Sequence, residues 1–493
     1  MPELLSLVCS FLEKKDCATC LSISRCTFAS AAPFVWEDVD LKWMLLLIPE
    51  MQVTRDETCQ EWEPHLIFQF PDTVDLARFE VYRYFVKTVS TTTPYAIVFP
   101  EEWPVVGEQM PSQPLLPNLR SITINTFGWV DDSYTDWAPR FLTPYLKEFK
   151  MCSIHLKESS GEDVGIHEHA WINPSKCSDL IDEISRICPA IETLEIFAHE
   201  EDDEEDQTNY GTVYEKIADF HNLHSLSLGG ASAGETLFQV LAPLPRLQSL
   251  SLVSDHSQAL PQVNSPVTLS DDSFPALQHL TLLGLNPKIV MRVYGLPQLF
   301  RRLISAKVTY EDLSYDGSES DDLRSAYAMN CFSHGCSHLT DLTILIEGDN
   351  GCFGLFRRFI FTFKQLPLRH LRLCAVDLNP HLDYVYSSQD KLEQAGLENN
   401  DPQVTWEEFF TALPRVEELH LMNVFYVEDL VILADSLVKL RYFAPYSIEI
   451  SETIDVSSVA TRPAATQPLI VCCDYPQYKY GRDHSKDTSN MAR

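Results

Sequence analysis

Ten times between residues 116 and 445 the chain returns to one short phrase in which apolar residues flank a polar one: LRSITIN, LKEFKMC, IETLEIF, LHSLSLG, LQSLSLV, LQHLTLL, LISAKVT, LTDLTIL, LRHLRLC and VEELHLM. Alternation with a period of two marks a short strand with one buried face. The flanking residues must be covered, and the central residue must point the other way. Every centre is polar: Thr123, Lys150, Glu195, Ser227, Ser251, Thr281, Lys307, Thr343, Arg372 and His420. LVKLRYF is an eleventh, weaker copy.

The apolar residue before the centre stands at 122, 149, 194, 226, 250, 280, 306, 342, 371 and 419, so successive copies lie 24 to 48 residues apart. Between them run helical signals, DLIDEISRI, ETLFQVLAPL, LFRRFIFTF and TWEEFFTAL, the last opened by Thr405 and Glu408 at capping-box spacing. One strand and one helix cannot close a core alone, so neighbouring units must supply the missing wall. The pattern resembles irregular leucine-rich repeats over residues 116–445. That resemblance implies an α/β horseshoe, a solenoid whose parallel sheet lines the concave side and offers the ten centres to a protein target.

The rest of the chain reads around this body. Residues 41–115 form a linker and atypical first repeat, with ARFEVYRYFVKTV as a helix running into a strand and PYAIVFPEEWPVV as proline-bounded extended segments. HEEDDEEDQ (199–207) and DGSESDD (316–322) are solvated acidic loops. Residues 446–493 are a C-terminal cap and flexible tail, with LIVCCDY offering one closing strand.

The first forty residues are different. Residues 3–12 predict an amphipathic helix with Leu4, Leu5, Val8, Phe11 and Leu12 on one face and Pro2 and Glu3 in the first turn. Asp16 is the expected N-cap of a second helix carrying Cys17, Cys20, Leu21 and Ile23. A third helical stretch around CTFASAA is expected to stop at Pro33, with FVWEDVDL extended beyond it. Three short helices bury little surface by themselves, so this head is expected to finish its core against the body or a partner.

Residues 1–40 resemble the F-box: Pro-Glu-Leu-Leu, an Asp-led second helix, Ser24-Arg25 ahead of Phe28, and Trp36 eight residues later. Met1 stands where the family usually has Leu, and Cys17 and Cys20 replace commoner aliphatics. The resemblance implies docking to the Skp-family adaptor, and through it to a cullin–RING ubiquitin ligase. Pro2, Leu4, Leu5, Val8, Leu12, Leu21 and Trp36 would build or support the adaptor-facing surface, some of them packing the head itself. An F-box followed by sparse irregular repeats looks like the expanded fungal F-box-like proteins. The alternative for residues 1–40 is an ordinary three-helix cap.

Charge narrows the partner class. With 71 acidic residues against 37 basic, the net charge is −34 and the pI near 4.7, which argues against nucleic acid or an anionic membrane. WMLLLI (43–48) is far short of a bilayer span, which needs about 20 residues, and the N-terminus lacks the pattern of a secretory signal. A cytoplasmic or nuclear protein is expected, its fourteen cysteines mostly free thiols.

Sites for chemistry are absent at the level of motif. CFSHGCSHL places Cys331, His334, Cys336 and His338 together as a candidate for zinc. Yet Cys336 precedes LTDLTI as Cys188 precedes IETLEI, so a place in the repeat explains it without metal. GGASAGE (229–235) lacks the Gly-Lys-Ser/Thr ending of a phosphate loop. No cofactor, metal or catalytic residue is expected. The function expected is a non-enzymatic substrate receptor of a Skp–cullin–F-box ligase, the alternative being a leucine-rich-repeat scaffold independent of ubiquitin ligation. Among the centres three are basic, one is acidic and one is His420, which points to a polar or acidic target segment.

Overall fold

The ten phrases become neighbours in a single parallel sheet. The computed structural model describes residues 2–56, 65–71, 74–91, 96–98, 114–126, 137–153, 171–198, 214–230, 235–254, 269–285, 287–310, 335–346, 362–375, 405–449 and 469–472. Its strands are β1 (Asp38–Asp40), β2 (Gln52–Asp56), β3 (His65–Gln69), β4 (Thr88–Ser90), β5 (Ala96–Val98), β6 (Ser121–Thr126), β7 (Glu148–Ser153), β8 (Trp171–Ile172) and β9 (Thr193–Ala198). They continue with β10 (Ser225–Gly229), β11 (Ser249–Val253), β12 (His279–Leu283), β13 (Ser305–Tyr310), β14 (Asp341–Ile346), β15 (His370–Ala375), β16 (Glu418–Tyr426), β17 (Tyr442–Glu449) and β18 (Ile470–Val471). Apart from the small sheet β2-β3-β5 and a side pairing of β8 with β9, all lie in one file, β1-β4-β6-β7-β9 through β18 in chain order.

The register is set by burial. Ile122, Phe149, Leu194, Leu226, Leu250, Leu280, Ala306, Leu342, Leu371 and Leu419 pair across successive strands, and none is more than 2% exposed. A one-residue slip would throw the whole set onto the wet face. A second buried file, Leu119, Leu146, Ile191, Leu223, Leu247, Leu277, Leu303, Leu339, Leu368 and Val416, lies three residues ahead of it, and Leu440 stands likewise ahead of Phe443, the partner of Leu419.

Backbone hydrogen bonds lock the entry to each strand. The Glu192 carbonyl accepts from the N–H groups of His224 (2.8 Å) and Ser225 (3.1 Å). The His224 carbonyl serves Gln248 and Ser249 in turn, and the same forked arrangement runs from the Glu37 carbonyl to that of Glu417. This bond uses no side chain, so the units stack whatever length of chain separates them.

The helices between strands bury what the sequence pattern marks. Asn173 caps the helix Pro174–Ile187, which buries Cys177, Leu180, Ile181 and Ile184. ETLFQVL is helical as expected, over Glu235–Leu241. Thr405 and Glu408 form the capping box of the helix Trp406–Thr411, each reaching the other's backbone N–H at 3.2 Å. That helix buries Trp406, Phe409 and Phe410, and Trp406 stacks on Phe410 at 5.5 Å. A further helix, Val427–Ser436, was not legible as such. Most of LFRRFIFTF and both acidic runs lie outside the described residues.

Glycine is required where GGASAGE begins. A Cβ on Gly229 would sit 2.8 Å from the Ala198 carbonyl oxygen, and one on Gly230 would overlap Leu285. These two residues let adjacent units close; this is a packing role and not a phosphate cradle.

The N-terminal region departs from its expected boundaries in three ways. The sheet starts well before the first phrase, because β1 and β4 pair with each other and then with β6. The head consists of α1 (Pro2–Cys9), α2 (Lys14–Cys20) and α3 (Arg25–Trp36), and α2 begins two residues before Asp16. Glu13 holds its N-cap position without a side-chain bond, and Asp16 lies in the first turn, where a negative charge faces the positive end of the helix dipole. Finally, α3 does not stop at Pro33 but continues to Trp36. The proline loses one helical bond, and the last turn offsets that by laying Trp36 on Tyr82 of α5 (Ala77–Tyr82), ring centroids 4.3 Å apart. Beyond α3 only Asp38–Asp40 is extended before α4 (Leu41–Leu45) begins.

Candidate protein-interaction surfaces

The head wears its large apolar side chains on the outside. Its core is a cluster of Cys9, Cys17 and Ala31, edged by the partly buried Cys20, Leu21, Phe34 and Val35. Leu4 (62% exposed), Leu7 (55%), Val8 (54%) and Phe11 (82%) stand in solvent. Positions 4, 7 and 8 follow helical spacing on α1 and form one stripe, and Phe11 follows in the turn beyond it. Leu12 and Ile23 are exposed as well.

The seven expected adaptor-facing residues divide accordingly. Leu4, Val8 and Leu12 are outward. Leu5 is half-buried, and Leu21 packs on the cysteine core. Pro2 opens α1, and its side chain is outside the described set. Trp36 is turned toward the body and fixed there by Tyr82, so it holds the head in place from behind. Leu7 was missed, because a single stripe through Leu4, Leu5, Val8, Phe11 and Leu12 left it out; its i+3 relation to Leu4 was the available signal. The anchorage is shared: Phe28 meets the Tyr82 ring edge-on at 5.9 Å, and the Lys14 ammonium donates to the Asp38 carbonyl at the sheet's first strand.

The other surface is the uncovered face of the sheet. Register brings all ten centres into a single file: Thr123, Lys150, Glu195, Ser227, Ser251, Thr281, Lys307, Thr343, Arg372 and His420 sit on consecutive strands of the main file, each opposite the next. Asp40 and Ser90 extend the file at one end and Ala444 at the other. All ten centres are at least partly exposed.

Charge along the face is uneven. Near the N-terminal end Lys150 bonds Glu148 at 3.1 Å, and the Cys152 thiol donates to Glu195 at 3.7 Å. Burial holds the Glu195 carboxyl above its ordinary range, against the pull of Lys150 and the thiol bond. Burial, with the Glu195 charge adding to it, pushes the Cys152 thiol up to about 11. The middle strands present Ser225, Ser227, Ser249, Ser251 and Thr281. Toward the C-terminal end His370 bonds Asp341 and lies 4.0 Å from Glu418, one register step from Arg372 and His420.

Other sequence candidates resolve into structure. Cys188 and Cys336 occupy the same buried turn, each carbonyl accepting from the residue three positions on at 3.2 Å. Cys331 and His334 lie outside the described residues, and His338 is exposed. Among the described residues no group of three His, Cys, Asp or Glu side chains is arranged to hold a metal ion. No described helix is long and apolar enough to cross a membrane.

No protein-family profile matches the chain, and no curated protein sequence does. Among solved structures, the mouse RP105/MD-1 complex aligns with a TM-score of 0.26 at 12% identity, over 76% of this chain and 57% of that one. The Drosophila Toll–Spatzle complex gives 0.23 at 13%, over 83% and 64%, and the APL1 leucine-rich repeat domain 0.25 at 11%, over 76% and 66%. The chain thus spans less than two thirds of each of those chains. The stacked parallel-strand architecture rests on this chain's own strand register.

Proposed function

We propose that the chain is a two-ended protein-interaction scaffold in which the head docks one protein and the uncovered sheet face holds another. The observation that carries this is the inversion in the head, where cysteine and alanine fill the core while Leu4, Leu7, Val8, Phe11 and Ile23 meet solvent. An apolar stripe of that kind is costly to leave wet, at about 25 cal/mol per Å², and it marks a protein-binding site. In the finer reading, supported by the F-box resemblance of residues 1–40, the docked protein is the Skp-family adaptor of a cullin–RING ubiquitin ligase. The chain is then an intracellular substrate receptor with no chemistry of its own, and it speeds ubiquitin transfer by raising the local concentration of its target.

Co-purification with the Skp-family adaptor tests the finer reading. The full chain captures the adaptor, and Leu4→Asp/Val8→Asp, both outward, abolishes capture while circular dichroism stays unchanged. Failure of the wild-type chain to bind sinks the ligase reading and leaves a scaffold with a different head partner. For the sheet face, the target segment is polar or acidic, held by the file containing Lys307, Arg372 and His420. Lys307→Glu/Arg372→Glu lowers target capture about tenfold or more, and undiminished capture removes that assignment.

A further inference from the structure

We infer that Cys9 and Cys17 are an oxidisable pair whose disulfide staples α1 to α2 and fixes the turn that carries Phe11. Cys9 is the last residue of α1, and Cys17 faces it from α2. The Cys17 thiol donates to the Cys9 carbonyl at 3.3 Å. The two side chains are in direct contact inside the same small cluster, with Cys20 close behind. Cys9 and Cys17 are both buried, so the closed head shields them from an oxidant and reacts through its opening fluctuations. Such opening is easy where the core is two cysteines and an alanine.

The step balances with a low-molecular-weight disulfide such as glutathione disulfide as oxidant. In the opened head the Cys9 thiolate attacks one glutathione sulfur and expels glutathione thiolate. The Cys17 thiolate then attacks the Cys9 sulfur and expels the remaining glutathione. Two protein thiols are oxidised to one disulfide, and the two electrons and two protons leave on two glutathione molecules. The bridge encloses residues 10–16, which hold the exposed Phe11 and Leu12. Only its consequence for partner docking rests on the function proposed above; the bond itself does not.

Peptide mapping of the intact chain, equilibrated in reduced and oxidised glutathione, tests it directly. Trypsin cuts after Lys14 and Lys15, which separates MPELLSLVCSFLEK from DCATCLSISR. The expected product is these two peptides joined without reduction, kept in Cys20→Ser and lost in Cys17→Ala. Amide exchange over residues 10–16 slows about tenfold in the bridged protein. A bond within DCATCLSISR alone, pairing Cys17 with Cys20, overturns the assignment, as does glutathione held only as a mixed adduct. A bridge that leaves exchange unchanged overturns the staple. Adaptor capture by the bridged and reduced chains, measured separately, reports on docking and not on the bond.

Discussion

Leu250 and Ser251 are adjacent in one strand and have opposite fates: Leu250 is fully buried, whereas Ser251 faces out from the sheet. Leu250→Ala removes apolar contact and leaves a cavity, costing about 2–5 kcal/mol. Ser251→Ala stays within about 0.5 kcal/mol. Paired thermal melts check this, and equal midpoints would contradict the facing. Glu195 gives a pH signature. Burial raises its carboxyl pKa in the folded state, so the folded chain binds this proton more readily than the unfolded one, and stability falls as pH rises through the raised value. Glu195→Gln is therefore more stable than the wild type at pH 7, and the advantage disappears as the pH drops below the ordinary carboxylate range. A constant difference across that window would count against the burial argument. Chain alternation made Ser251 legible; nothing local to LEIF distinguishes Glu195 as desolvated, because its surroundings include Lys150 and Cys152, more than forty residues away in the chain.

At the scale of elements, caps were readable where the cap lies inside a known helix signal. The Thr405–Glu408 box was visible in TWEEFFTAL and forms as spaced. Ser24 makes the same kind of box with Thr27 at the start of α3, a cap hidden behind the resemblance of Ser24-Arg25 to a family mark. Ser24→Ala weakens α3 by about 1 kcal/mol, whereas Glu13→Ser supplies the bond missing at α2 and strengthens it by a similar amount. Hydrogen exchange of α2 and α3 in the two variants should move in opposite directions. Pro33 misled because its local cost is real, yet the turn after it carries Trp36 to a Tyr82 that is distant in sequence. The extended stretches that become β1 and β4 were legible in FVWEDVDL and FVKTV, but not their place in the main sheet: three residues are too few to show the phrase, and their pairing is made by the forked carbonyls of Glu37 and Lys87.

The whole molecule is a stack in which each unit touches chiefly its neighbours, so its response to damage depends on position. Leu226→Ala, in the middle of the file, lowers the cooperative melt of the body. Phe443→Ala, in β17 beside the terminal β18, frays the C-terminal units first. Exchange mass spectrometry separates the two outcomes by which strands lose protection. The two proposed surfaces lie on different parts of this stack, the apolar stripe on the head and the polar file along the sheet, joined through Trp36, Tyr82 and the Lys14–Asp38 contact. Trp36 packs on Tyr82 at this junction, and on the proposed two-ended scaffold it holds the head against the body.

By itself the sequence determined the repeated strand, the face each residue takes and the capping of the helix after Thr405, because these depend on periods and spacings of a few residues. Tertiary structure decided where the sheet begins, which residues of the head are left bare, and which polar centres are desolvated. Those outcomes turn on contacts between segments tens of residues apart, such as Trp36 with Tyr82 and Lys150 with Glu195. A one-dimensional pattern states how a residue must face, but what fills the space opposite is settled only when the chain returns.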